Sequence, residues 1–199
     1  PTTGTITLEN KHLDENNKNI GYMLQQDYLF PWKTIEENVL LGLKLTNRLN
    51  KQTKSKTLEL LEKIGLQQIE SKYPAELSGG MRQRVALVRT LATDPKVLLL
   101  DEPFSALDFQ TKLKLEDLVF NTLKQFNKTA ILVTHDIGEA IAMSDRIYLF
   151  SKRPGTIVQI FHVPDELRQL EPFQARNHPR YNELFQEIWE ELNKLETEN

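Results

Sequence analysis

Two carboxylates, Asp101 and Glu102, stand at the end of the apolar run Val97-Leu98-Leu99-Leu100. Such a run reads as a strand of a parallel sheet, and in open α/β sheets ligands bind outside the carboxyl ends of the strands. One acid there can hold Mg²⁺, usually through water, and its neighbour can polarise an attacking water. A solvated Asp-Glu turn is the plainer alternative. The pattern recurs at Ala130-Ile131-Leu132-Val133, followed by Thr134, His135 and Asp136. That brings His135 to the same sheet edge, within reach of a phosphate near Glu102, although a lone histidine is more often structural or simply exposed. A third cluster, Ser78-Gly79-Gly80, opens a helical pattern from Met81 through Leu91. Bare backbone N–H groups, a short hydroxyl and the helix dipole make an anion site. The same residues also read as an N-capped helix with a flexible entry.

The elements that must position these groups follow from periodicity. Ile6–Leu8 and Ile20–Met23 read as strands, and from Lys33 to about Leu91 the pattern turns helical. Thr34 with Glu37 three residues on predicts a capping box ahead of Val39, Leu40 and Leu43. Leu58, Leu61 and Ile64 form an apolar stripe that Gly65 ends. Val97–Leu100 and Ala130–Val133 are expected to be strands buried on both faces, with a helix from Thr111 to about Phe126 between them, a βαβ unit. Ile147–Phe150 and Ile157–Ile160 are further strands, joined by a turn at Arg153-Pro154-Gly155. Leu184, Ile188, Leu192 and Leu195 share one face of a tail helix over about 181–195. The chain opens on a turn, Pro1 to Gly4, leading into Thr5–Leu8, which reads as part of a hairpin begun upstream.

Composition narrows the function. At 199 residues, 39% apolar and 27% charged, the chain can build one domain with a full core, or a core plus a small subdomain. Its net charge of −3 lacks the basic surplus of a dedicated nucleic-acid binder. The absence of cysteine excludes disulfides and thiol chemistry within these residues. No stretch reaches the ~18 apolar residues of a membrane span, and no secretory pattern opens the sequence. Any membrane connection must therefore run through a partner.

Taken together, the motifs resemble the ATPase subunits of ABC transporters. Leu77-Ser78-Gly79-Gly80-Met81-Arg82-Gln83 matches the family signature, and Leu98-Leu99-Leu100-Asp101-Glu102-Pro103 is similar to its Walker B strand with the catalytic glutamate. Ser105-Ala106-Leu107-Asp108 resembles the D-loop, Thr134-His135-Asp136 the switch histidine, and Gly21-Tyr22-Met23-Leu24-Gln25 the Q-loop. The resemblance implies an α/β, P-loop NTPase-like domain, its mostly parallel sheet flanked by helices, with a helical subdomain over about 27–88. It implies ATP and Mg²⁺ as ligands, with Asp101 and Gln25 on the metal and Glu102, His135 and Gln25 in catalysis. Ser78, Gly79, Gly80 and Gln83 would meet the phosphates of a nucleotide held by the opposite subunit of a head-to-tail dimer, with Asp108 at the seam. Phosphoryl transfer asks for positioning and charge neutralisation, which these residue types supply.

One departure stands against this match. The family needs G-x-x-x-x-G-K-[ST], whose backbone cradles the phosphates, and none of the eight glycines here is followed by lysine. In the family that loop lies just upstream of a segment resembling Pro1–Ile6, and the aromatic that stacks on adenine lies further upstream. The expectation is a chain incomplete at its N-terminus that hydrolyses no ATP alone; a chain natively without the loop is the other reading. Leu29-Phe30-Pro31-Trp32 and the Pro- and Arg-containing ending resemble the subgroup that imports nitrate, sulfonates, taurine and thiamine-precursor pyrimidines. Implied partners are transmembrane permease subunits, a second ATPase subunit and, indirectly, an external solute-binding protein, at the cytoplasmic face of the cell membrane. Trp32 is expected in the permease dock, although Pro31-Trp32 can equally pack a loop. Two other functions stay open: a non-hydrolysing interaction module that pairs with an intact subunit, and a soluble ABC-type ATPase. The single nucleotide-binding domain, the short Gln25–Leu77 interval and the acidic balance disfavour the second.

Overall fold

The computed structural model describes residues 3–13, 19–105 and 107–197, so Pro1 and Thr2 of the opening turn and Ala106 lie outside the described residues. Strands β1 (Thr7–Leu8) and β2 (Lys11–His12) pair antiparallel. Strand β3 (Ile20–Met23) then leads into the loop carrying Gln25. The stretch expected to be helical from Lys33 onward is broken into α1 (Ile35–Val39), α2 (Leu41–Leu45), α3 (Lys51–Lys63), a 3-10 turn at Pro74–Glu76 and α4 (Gly79–Leu91). The capping box forms as expected: Glu37 N donates to Thr34 Oγ1 at 3.2 Å, and Thr34 N donates to Glu37 Oε2 at 2.9 Å. Gly65 follows α3 at φ +75°, the left-handed position that glycine enters without a Cβ penalty.

Strand β4 (Val97–Asp101), helix α5 (Phe109–Gln125) and strand β5 (Thr129–Val133) form the expected βαβ unit. The parallel sheet runs β3-β4-β5 in register from Ile20↔Val97 and Val97↔Thr129. Burial on both faces does not hold. Met23, Leu98 and Leu100 enter the core, whereas Ile131 and Val133 are 54% and 55% exposed and Tyr22 is exposed beside them. The helices described here pack against one face of the sheet, and a continuous apolar run cannot distinguish one covered face from two.

After α6 (Ile137–Met143) come β6 (Arg146–Phe150) and β7 (Ile157–His162), an antiparallel pair joined through the expected turn. Short helices α7 (Asp165–Arg168) and α8 (Pro172–Ala175) lead to α9 (Pro179–Thr197). Among the described residues two hydrophobic cores result. Ile35, Val39, Leu61, Val85 and Val88 of α1–α4 share the first with Leu98, Leu100 and Leu115, so the helical layer and the sheet are built on common ground. Ile141, Leu149, Phe161, Leu167, Leu184 and Ile188 make the second, beneath the β6–β7 pair.

Candidate active site

Parallel pairing brings the ends of β3, β4 and β5 to one edge, and the residues that follow them meet there. Gln25 Nε2 donates to Glu102 Oε2 at 3.1 Å and to Ser105 Oγ at 3.1 Å. His135 Nδ1 lies 3.1 Å from Glu102 Oε1. Glu102 is thereby held from both sides by groups 77 and 33 residues away. Its backbone is left-handed, at φ 44°. For a residue with a Cβ that conformation costs about 1–3 kcal/mol. Phe104, fully buried two residues on, offsets it with about 1.5–3 kcal/mol of burial. Glu102 N also donates to Val133 O at 2.8 Å, tying the turn to the neighbouring strand.

Asp101 sits beside this cluster and accepts a hydrogen bond from Tyr22 OH at 2.9 Å. That bond, aided by burial, holds the Tyr22 phenol above its ordinary pKa. No group of three or more His, Cys, Asp or Glu among the described residues forms a metal cage. Mg²⁺, however, is ordinarily held by one or two carboxylates together with substrate phosphates and water. Asp101, with the amide oxygen of Gln25, fits that hard, oxygen-rich donor set.

The loop after Gln25 is fastened to α4. Gln83, grouped from the sequence with the phosphate-binding residues, is buried, and its Nε2 donates to Gln25 O at 3.0 Å. The structure thus puts its side chain against the loop backbone and away from the signature surface. Arg82 Nε donates to Asp27 Oδ2 at 2.9 Å, and Arg89 donates to Asp27 O and Tyr28 O at 2.6 and 2.7 Å. Asn38, fully buried, accepts from Phe30 N at 2.8 Å and donates to the carbonyls of Phe30, Lys33 and Thr34, which fixes the loop bearing Trp32.

The remaining candidates lie together elsewhere. Ser78 Oγ caps α4 by accepting from Met81 N at 3.3 Å. A Cβ at Gly80 would stand 2.6 Å from Thr111 Cγ2, so glycine is what allows α4 to approach the first turn of α5. Asp108 caps α5 through a 3.0 Å bond from Thr111 N, and its hydrogen bonds with Thr111 hold its carboxyl below the usual range. A hollow of about 530 Å³ opens over Ser78, Gly79, Gly80 and Asp108, with Arg84 and Lys114 among its walls. Exposed N–H groups at the start of α4 and two cations suit an anionic ligand. Gln25, Asp101, Glu102 and His135 do not line this hollow. The candidates therefore form two groups.

Tyr22, Ser105, Asn38 and Arg89 join the site without having been singled out from the sequence. The available signal is that Tyr22 lies inside Gly21–Gln25 and Ser105 inside Ser105–Asp108, motifs whose resemblance rests on other residues.

Comparisons with known proteins point to one family. A family model described as ABC transporter matches residues 1–105. The ABC transporter ATP-binding protein YtlC of Bacillus subtilis is 64% identical over 196 residues, covering 98% of this chain and 75% of that protein. The nitrate import ATP-binding protein of Synechocystis sp. is 37% identical, covering 100% of this chain and 76% of that one. The taurine import ATP-binding protein of Rhizobium johnstonii is 38% identical, covering 93% and 72%. Among solved structures, a dimeric ATP-binding cassette in a post-hydrolysis state with ADP and Pi superposes with a TM-score of 0.68. It is 33% identical over 82% of this chain and 75% of that one.

Proposed function

This chain belongs to the ABC transporter family as an ATP-binding subunit, and from that premise we propose that it drives solute import by coupling ATP hydrolysis to uptake. The observation that carries the reading is Glu102, held between Gln25 and His135 at the carboxyl edge of a parallel sheet. A carboxylate so oriented can polarise an attacking water, while His135 donates toward a γ-phosphate. Mg²⁺ bound by Asp101 and Gln25 would neutralise charge on the phosphates. The importer assignment is supported by relatives of 37% and 38% identity named for nitrate and taurine import. It is also supported by Trp32, which stands 70% exposed on the loop after Gln25 with Phe30 edge-on at 5.4 Å. On this reading Trp32 and the helical region 27–88 dock a permease subunit at the cytoplasmic face of the membrane. Among the described residues no helix is long and apolar enough to cross it. A second ATPase subunit completes each site by presenting Ser78, Gly79 and Gly80 to its partner's nucleotide, an arrangement supported by the dimeric state of the solved relative. The 199 residues contain no G-x-x-x-x-G-K-[ST], and by themselves they hydrolyse no ATP.

The test uses the full-length protein assembled with its permease in proteoliposomes. Glu102→Gln should lower ATP hydrolysis by about 10²-fold or more and stop uptake while nucleotide binding persists. Trp32→Ala should lower transport-coupled hydrolysis and loosen assembly. A Glu102→Gln transporter with undiminished hydrolysis would sink the catalytic assignment, and unchanged coupling in Trp32→Ala would sink the dock.

A further inference from the structure

Helix α6 starts beside the proposed catalytic edge and α5 starts at the signature hollow, and their first turns are joined by a single lysine. Asp136, next in sequence to His135, caps α6: its Oδ1 accepts from Glu139 N at 3.1 Å. Its other oxygen, Oδ2, lies 2.7 Å from Lys112 Nζ, and Glu139 Oε1 lies 2.6 Å from the same nitrogen. Lys112 comes from the first turn of α5, where its N–H donates to Asp108 O at 2.9 Å. The lysine side chain is 15% exposed and that of Glu139 is 2% exposed, so the ammonium is gripped away from bulk water. Charge-assisted bonds of this length are about twice as strong as neutral ones.

The opposite side of the α6 turn is closed as well. A Cβ at Gly138 would stand 2.7 Å from Tyr181 OH of α9. His135 itself is 74% exposed in its side chain and has Glu102 as its described polar contact. Packing does little to orient the ring, so its direction depends on where the cap of α6 places its backbone. Lys112 holds both carboxylates of that first turn, Asp136 and Glu139.

We propose that Lys112 is a positioning residue for ATP hydrolysis, tying His135 on the α6 cap to the first turn of α5 at Asp108 and Thr111. The proposal rests on the functional reading above. Lys112 does not touch substrate. It joins the turn that carries the switch histidine to the turn that lines the signature hollow, so that displacement of one moves the other.

The experiment measures kcat and KM for ATP in the full-length protein within its transporter, for wild type, Lys112→Met, Lys112→Arg and His135→Ala. Lys112→Met should lower kcat by about 10- to 10²-fold, the scale of a 1 Å misplacement, and leave KM within about twofold of wild type. Lys112→Arg, which can still reach both carboxylates, should recover most of the rate. Because Lys112→Met leaves two carboxylates facing each other, Lys112→Met/Glu139→Gln is made beside it to balance the charge; it should fold with near-native melting behaviour and still be slow. A well-folded double variant with native kcat overturns the proposal, as does Lys112→Arg failing alongside Lys112→Met. An active wild type in which His135→Ala costs nothing removes the group that Lys112 is said to place. A wild-type transporter that hydrolyses no ATP overturns the functional reading itself, a result distinct from all of these.

Discussion

The carboxylate edge and the signature hollow are built in opposite ways. At the edge, side chains hold one another: Gln25 and His135 on Glu102, Tyr22 on Asp101, with partners drawn from three strands. At the hollow the side chains turn inward as caps, Ser78 onto α4 and Asp108 onto α5, leaving glycine backbone to face the opening. The edge is held together by its own side chains, whereas the hollow presents helix-start backbone and the cations Arg84 and Lys114, which suit an anion. On the proposed reading, that anion is the nucleotide of a second copy. Mixed dimers give the sharpest way to break this division. Glu102→Gln in one full-length subunit and Gly80→Trp in its partner should leave one working site of two, because one subunit keeps its edge and the other keeps its hollow. Both substitutions in the same subunit, paired with wild type, should leave no working site. The expected contrast is therefore about half of wild-type hydrolysis against a loss of about 10²-fold or more. The reverse pattern, near-complete loss with the substitutions in separate subunits and about half of wild-type hydrolysis with both in one, would mean that edge and hollow serve the same copy.

Helix α4 belongs to both regions, since it starts at the hollow and grips the Gln25 loop through Gln83, Arg82 and Arg89. Gln83→Ala removes the amide that donates to Gln25 O, a net loss of about 0.5–1.5 kcal/mol. If that loss falls on the placement of Gln25, ATP turnover should drop by up to about tenfold, with binding of ATP largely kept. A variant that instead loses affinity with kcat unchanged would place Gln83 on the nucleotide, and the two regions would merge along α4.

The parts of this arrangement that could be read from sequence are those written in contiguous residues. Asp101, Glu102 and His135 each follow a short apolar run, so strand and site were legible together. Ser78 opens a periodic helix and Gly65 marks a helix end, whereas Asp108 stands out only through the resemblance of Ser105–Asp108 to the D-loop. Tyr22, Asn38, Arg89 and Lys112 were not legible, because each acts on atoms of a distant segment or on backbone carbonyls, which no local period encodes. Exposure of Ile131 and Val133 is not written in their own run for a related reason: Ala130–Val133 fixes a strand but says nothing about what lies over each face. The break between α1 and α2 at Leu40 carries no glycine or proline to announce it.

The smallest expected effect concerns α5, which starts at the hollow and whose interior backs the edge. Glu116, two turns beyond Asp108, is fully buried, with Arg176 Nη1 2.7 Å from its Oε2. Burial pushes its carboxyl up to about 7; Arg176 pulls against this, Glu139 adds to it, and Lys112 opposes it. The folded value exceeds the ordinary 4.5, so between the two the folded protein binds more protons than the unfolded chain. Stability contributed through this group is therefore full below about 4.5 and is lost as pH rises toward about 7. Glu116→Gln keeps the shape and an oxygen toward Arg176 but cannot titrate. In the full-length protein, its Tm should stay flatter than wild type's from about pH 5 to about pH 7.5, with the wild type falling by a few degrees relative to it. Hydrolysis at a fixed temperature well below both melting points should differ little between the two, because Glu116 braces α5 without reaching the edge or the hollow. Parallel Tm profiles would mean that Glu116 stays ionised beside Arg176 throughout this range, and the interior of α5 would then be a settled ion pair with no part in the pH response.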